Sequence, residues 1–476
     1  MGLTGAIAKN TLIQIVGKAI GLAAAVATVA VMTRSLGPIG YGYYVTAFAF
    51  LQVVFITVDF GLQMTAGTLL ADTNHDAPTL LGNLVSLRVV TAGAAAIVGT
   101  AVLWISPFPL AVKIGGSLLS VSFVAADVVA VLTGLFQFRL TMAPVAIAEV
   151  VSKMMLLAGV AGAVWFGGRL VSIIAVTVGA TLLQAVLLAV WARRISPFRW
   201  RMDWPVWRLI LHTTWPLAVT IALNLVYFKM DTVILSLTRS PDEVGLYGAP
   251  YRILELCINL GYLFLGLVLP LLSQAAAAND RARFSRLVQR GFDGMAGMAV
   301  PLVVGGGILA QPLMGLVGGP AFAASAPLLA ILLVATGIIF LAAVFGYAVV
   351  ALGAQRRLIP WYAANAVGSL AAYGWLIPRY GALAAAWLTV GSELVILVAA
   401  AVVTYQQTRV LPHLRVAAVA GVAAAVMAVS LLATPGWPAI PRVALGGLVY
   451  LVALHALGGL PRGLLRQIIK PQIQDR

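Results

Sequence analysis

Residues 214–255 read TWPLAVTIALNLVYFKMDTVILSLTRSPDEVGLYGAPYRILE. The polar island TRSPDEVG at 238–245 lies between two long apolar stretches. A bilayer core of roughly 30 Å is crossed by about 20 apolar residues of helix, and each flanking stretch supplies that length. The segment therefore reads as one membrane helix, a short surface turn, and a second membrane helix.

The same alternation runs outward in both directions. Apolar windows of spanning length cover residues 10–32, 42–68, 82–106, 113–136, 143–166, 170–192, 210–236, 246–273, 291–317, 325–351, 358–377, 381–405, 414–433 and 441–459. The fold class is thus an all-α polytopic membrane protein with about fourteen transmembrane helices. Composition agrees: of 476 residues 62% are hydrophobic and 9% charged, where soluble chains carry about 25% charged. Mean hydropathy is +1.03. The first window carries the small residues AAAVATVA at 23–30, yet thirteen further spans behind it favour an uncleaved first helix over a secretion signal.

A net charge of +16 would suggest nucleic acid in a soluble chain. In a polytopic protein it has another origin, because cytoplasmic loops collect Lys and Arg. With the N-terminus inside, nineteen of the thirty basic residues fall on the cytoplasmic side, six outside and five within spans. That bias predicts an even number of helices, both termini in the cytoplasm, and no nucleic-acid partner. Chemistry is bounded as well. One cysteine, Cys257, and four scattered histidines exclude multi-cysteine or HExxH-type metal sites. No phosphate-binding GxxxxGK[ST] loop or GxSxG elbow occurs. No loop is long enough for a soluble domain, so neither a metal nor a cofactor is expected, and the chain reads as a non-enzyme whose function lies between its helices.

An internal repeat organises these spans. At a shift of 205 residues TRSLGPIGY at 33–41 meets TRSPDEVGL at 238–246, and Gly61-Leu62 meets Gly266-Leu267. The expected organisation is a six-helix bundle over 1–200, a pseudo-symmetric six-helix bundle over 201–405, and an extra helix pair with a cytoplasmic tail over 406–476. Parallel repeats with a substrate site between them are one transporter plan. The junction RRISPFRWRMDWPVWR at 193–208 is basic and aromatic, a composition suited to an interfacial anchor in anionic lipid.

Ionisable residues inside spans each cost roughly 2.5–3.5 kcal/mol at a lipid-facing position, so they must face protein or water. The cations are Lys18, Arg88, Lys153, Lys229 and Arg252, with Arg34 at the end of the first helix. Asn10, Gln14 and Lys18 step by four onto one face. Glu149 and Lys153 form an i, i+4 pair in the favourable order. Lys18, Arg88 and Arg252 lack a local acid partner, apart from Glu255 beside Arg252. Asp231, grouped with Asn224, Tyr227 and Phe228, is the better cavity candidate in its helix, while Lys229 points about 160° away. A cationic, watered cavity suits a phosphate or pyrophosphate, which arginine binds bidentately and lysine as a point charge. Lys18, Arg88, Arg252, Lys153, Lys229, Asn10, Gln14 and Arg34 are therefore the candidate substrate-binding set. Asp231, Glu255, Asp59, Glu149 and Glu393 are the candidate ion-coupling or cavity acids, since a buried acid readily exchanges a proton.

With these residues in hand, the chain resembles the polysaccharide-transporter branch of the multidrug, oligosaccharidyl-lipid and polysaccharide exporter superfamily, the Wzx-type O-antigen and exopolysaccharide flippases. The likeness rests on RSLGPIGYGYY at 34–44, DFGL at 59–62, the 214–255 stretch, LPLLS at 269–273 and NAVGSLAAYGWLIPRYGALAAAWLTVGSE at 365–393. It implies a MATE-like fold of two six-helix bundles and alternating access. It also implies translocation of a polyprenyl-pyrophosphate-linked oligosaccharide from the cytoplasmic to the outer leaflet of the inner membrane, with a proton or sodium ion as coupling ion and polymerase or ligase machinery as partners. The extra pair at 414–459 resembles the added helices of fourteen-span members. A departure lies at Asp242 and Glu243, which make the turn after Arg239 less basic than its counterpart at Arg34. A cation-coupled multidrug exporter and a lipid II flippase remain the alternatives, and a membrane-embedded polymerase or glycosyltransferase lacks the loop it would need.

Overall fold

The computed structural model describes the backbone of residues 3–57, 77–139, 141–196 and 199–459, with their side chains except those of 3–16, 57, 77, 213, 215–222 and 224–226. Among the described residues there is no strand. The helices are α1 (Leu3–Thr57), α2 (Ala77–Ile105), α3 (Leu110–Phe138), α4 (Ala143–Trp165), α5 (Leu170–Ile195), α6 (Trp204–Thr238), α7 (Pro241–Ala277), α8 (Arg281–Ile308), α9 (Ala310–Gly318), α10 (Ala326–Ala351), α11 (Ile359–Thr408), α12 (Arg415–Leu432) and α13 (Ala439–Ala456). Short 3-10 turns occupy Pro320–Ser325 and Gln355–Arg357. Among the described residues eleven helical segments are long and apolar enough to cross a membrane, so the chain is a multi-pass membrane protein.

Two of these helices are too long for one straight crossing. At 1.5 Å per residue, the 55 residues of α1 would extend about 80 Å and the 50 of α11 about 75 Å. Each is broken at a single glycine: Gly37 (φ 64°, ψ 179°) and Gly381 (φ 63°, ψ −143°). Both take the left-handed region that glycine tolerates without steric cost. Pro38 follows the first break and Pro378 precedes the second, each removing a backbone donor that a continuous helix would use. The short loops expected between windows 10–32 and 42–68, and between 358–377 and 381–405, are thus one-residue breaks.

The chain divides into two compact units. Unit one comprises Met1–Ala249, Val317–Ala321 and Ala366–Ala385, and unit two comprises Pro250–Leu316, Phe322–Asn365 and Ala386–Arg476. In unit one, Leu81 and Leu84 of α2, Val131 and Phe136 of α3, Leu188 of α5 and Ile210 of α6 form one buried cluster. A second joins Ala47, Leu51 and Phe55 of α1 to Ala92 and Leu103 of α2 and Leu119 of α3. Lipid tails are as apolar as leucine, so close packing of small residues must hold such helices together. Gly116 of α3 does this, since a Cβ there would run into Leu103.

In unit two, α10 is apolar on every side, the pattern of a helix enclosed by protein. Its apolar window is 72% buried, against 22–44% for the other candidate spans, so it is the core helix. Phe340, Phe345 and Val349 pack there against Phe284, Val288 and Met295 of α8 and Ala399 and Val403 of α11. The α12–α13 hairpin is fastened to α8 through Met427 against Gly305 and through the Tyr450 hydroxyl, which donates to the Gly297 carbonyl at 2.8 Å. Arg442 of α13 is buried and donates through Nη2 to the Leu431 carbonyl at the end of α12, closing a helix terminus with a cation.

Candidate functional site

Three of the expected residues meet at the α1–α4 interface in unit one. Lys18 Nζ lies 3.9 Å from Glu149 Oε2. The side chains of Lys153 and Glu149 both approach Gly21 of α1, reaching within 3.9 and 4.0 Å of where its Cβ would stand. The Lys18 and Glu149 side chains are 41% and 32% exposed, and at that separation and exposure the pair is weak. The side chains of Asn10 and Gln14 lie outside the described residues, as does Asp59. Arg34 is exposed on α1.

Arg88, without a local acid partner in its own helix, has one on another. Its Nη2 donates to Asp127 Oδ1 at 2.7 Å, across α2 and α3, with side chains 3% and 15% exposed. The partner lies on the next helix, where spacing along one helix gives no sign of it. Arg252 pairs within α7, Nη1 to Glu255 Oε2 at 2.5 Å. Its side chain remains 35% exposed. This pair belongs to unit two, the Lys18 group to unit one.

The acids are more enclosed. Asp231 is fully buried in unit one, where Oδ2 accepts from the Tyr247 hydroxyl at 2.6 Å and Oδ1 from the Thr232 amide at 2.5 Å. Beside it the Tyr373 hydroxyl donates to the Tyr227 carbonyl at 2.5 Å, joining the first arm of α11 to α6. Lys229 is buried with its ammonium 5.2 Å from the Phe228 ring centroid. In unit two Glu393 is buried within electrostatic reach of Tyr262 and Tyr362. Among the described residues no group of three His, Cys, Asp or Glu is placed to hold a metal ion.

Sequence reading missed a clasp at the end of unit one that carries Gly37 and Gly381. Pro38 and Gly42 of α1 face Pro241 and Gly245 of α7, and both pairs are 203 residues apart rather than 205. A Cβ on Gly42 would run into the Pro241 carbonyl and stand 3.1 Å from Gly245 N. One on Gly245 would run into the Pro38 carbonyl and stand 3.0 Å from Gly42 N. The first turns of two helices thus cross backbone to backbone, each through its own glycine. Glu243, one turn into the same helix, accepts from Arg239 Nε at 2.7 Å and from the Ala382 amide at 2.7 Å. Ala382 opens the second arm of α11, where an amide has no helical acceptor, so Glu243 caps that arm. The acidic turn noted as a departure has this structural use. Thr33 adds a 2.9 Å hydrogen bond to the Val317 carbonyl.

The fold is shared with membrane transporters and flippases of the MOP superfamily. The chain is similar to the lipid II flippase MurJ in an inward closed conformation, with a TM-score of 0.76 at 12% identity over 97% of this chain and 99% of that one. It is also similar to an inward-facing multidrug resistance MATE family transporter of the MOP superfamily (TM-score 0.65, 13% identity, 82% of this chain and 94% of that one). The Vibrio cholerae MATE transporter VcmN gives 0.60 at 13% identity over 85% and 98%. Such identities establish the fold alone. A search of curated protein sequences finds no match. The family model described as polysaccharide biosynthesis protein matches residues 7–276, more than half of the chain, and the chain belongs to that family.

Proposed function

We propose that the protein is a non-enzymatic flippase that moves a polyprenyl-pyrophosphate-linked oligosaccharide from the cytoplasmic to the outer leaflet of the inner membrane, for O-antigen or exopolysaccharide synthesis. The observation that carries this reading is membership of the polysaccharide biosynthesis family on a MurJ- and MATE-like fold. Fourteen crossings with both termini cytoplasmic fit the helices once α1 and α11 are split at Gly37 and Gly381, and fit the distribution of basic residues. The repeats 1–200 and 201–405 act as the alternating-access halves, and the helices of 406–476 are the added pair.

In this reading a cationic central cavity takes the pyrophosphate. Lys18 and Arg252 are the leading ligands, because the first is weakly paired and the second partly exposed. Lys153, Lys229, Arg34, Asn10 and Gln14 supply further donors, and Arg88 acts through its pair with Asp127. Asp231, Glu255, Glu149, Glu393 and Asp59 are the acids available to a coupling proton or sodium ion. Polymerase or ligase machinery then uses the product at the outer face. Deleting the gene and identifying the lipid-linked sugar that accumulates tests the substrate: an oligosaccharide retained on the cytoplasmic leaflet is expected, and unchanged surface polysaccharide with no such intermediate would refute it. A lipid II flippase is the second reading, favoured by the near-complete coverage of the MurJ structure. Complementation of a strain depleted of its lipid II flippase separates the two.

A further inference from the structure

Residues 199–203, just before α6, are built as a strap. They form neither helix nor strand, with Asp203 extended (φ −92°, ψ 106°), and they are fixed to α2 at three points. Gly82 lies so close beneath the Arg199 carbonyl that a Cβ would collide with it. Ser86 donates its hydroxyl to the Arg201 carbonyl. Asn83 closes a two-way link with Asp203, accepting from its amide at 2.7 Å and donating to its Oδ2 at 3.0 Å. Asn83 and Ser86 are both 0% exposed, so these polar groups are committed to the strap.

With the Arg199 and Arg201 carbonyls turned onto α2, the strap leaves its arginine, tryptophan and methionine side chains exposed. Arg199 and Arg201 alternate along it with Trp200 and Met202. Both arginines are exposed, and Trp200, Met202 and Trp204 are 53%, 54% and 67% exposed. Arg208, one turn into α6, is exposed as well. The one acid of the stretch, Asp203, is engaged with Asn83. A backbone fastened to α2 thus holds two arginines interleaved with an aromatic and a thioether side chain. We propose that this strap is a docking site for anionic phospholipid headgroups of the bilayer, with Arg199 and Arg201 on the phosphates and Trp200, Met202 and Trp204 at the acyl boundary. Guanidinium binds phosphate through paired hydrogen bonds, and indole rings settle at the headgroup level. The site requires only that the chain is a membrane protein, and stands apart from the flippase reading.

The test uses the purified full-length chain titrated with phosphatidylglycerol and, separately, phosphatidylcholine, with bound lipid counted by native mass spectrometry. Phosphatidylglycerol should bind preferentially. Each surface arginine contributes about five-fold, so Arg199→Gln with Arg201→Gln should weaken it about 30-fold. Arg283→Gln with Arg286→Gln, equally exposed cations on α8, should leave that binding unchanged. Asn83→Ala should weaken it several-fold although every cation remains, and Ser86→Ala does the same service if that variant fails to fold. Equal binding of the two lipids would overturn the proposal. So would equal losses in the strap and α8 variants, which would show that total charge decides, or displacement of phosphatidylglycerol by inorganic pyrophosphate, which would give the strap to a soluble anion.

Discussion

Replacing Gly42 or Gly245 by alanine puts a methyl group where the backbone of the opposite helix stands. Each Cβ would collide with a proline carbonyl oxygen and lie 2.8 Å from the carbonyl carbon, whereas ordinary contact begins at 3.4 Å. Neither neighbour is a flexible side chain end, so the crossing helices must separate by about 1 Å, and overpacking of this kind costs roughly 1–3 kcal/mol. The better helix propensity of alanine returns up to about 1 kcal/mol. The expected net loss is about 1–2 kcal/mol for either variant. Because one separation relieves both collisions, the double variant should lose clearly less than the sum. Thermal unfolding of the purified protein reads these losses, with Gly266→Ala as control, since nothing lies within 4 Å of a Cβ there. Unfolding of Gly42→Ala and Gly245→Ala indistinguishable from the control, or losses that simply add, would refute the reciprocal crossing.

Other consequences can be measured on the same preparation. Gly381→Ala forces a left-handed backbone on alanine and drives its methyl into the Glu243 carboxylate, so a loss of roughly 1–3 kcal/mol is expected. Glu243→Ala removes the cap on Ala382 and the Arg239 pair together and should cost about 1.5–3 kcal/mol by chemical or thermal unfolding. Arg88→Met leaves Asp127 charged and enclosed, a loss of about 3–5 kcal/mol, while Arg88→Met with Asp127→Leu should recover most of it. Lys18→Ala should change stability by less than about 1 kcal/mol, because its ion pair is long and exposed. A transport defect in that variant with an unchanged Tm would therefore report on function.

The helices were legible because an apolar run of spanning length needs no partner to be recognised. An interruption of the helix was legible too, through residues 33–41 left between the windows 10–32 and 42–68. Tertiary pairing was another matter. Spacing along one helix brings out Arg252 with Glu255, three residues apart, and cannot bring out Arg88 with Asp127, 39 apart on a separate helix. The repeat reading aligned the two TRS triplets at a shift of 205. The residues under packing constraint in the clasp are Pro38 with Gly42 and Pro241 with Gly245, which stand 203 apart. Asn83 and Ser86 carried a weak signal, two polar residues behind a glycine at the start of an apolar window, but their partners lie over 100 residues away in the strap. Glu243 drew notice only as an excess of acid, because a capping role depends on where the Gly381 break falls.

Flipping of a labelled polyprenyl-pyrophosphate oligosaccharide in proteoliposomes tests the central claim most directly. The reconstituted protein should move the lipid between leaflets, and Lys18→Ala and Arg252→Ala should each abolish most of that movement, Lys18→Ala while leaving unfolding unchanged to within about 1 kcal/mol. Normal flipping in both variants, or no flipping by the unaltered protein, would contradict the account.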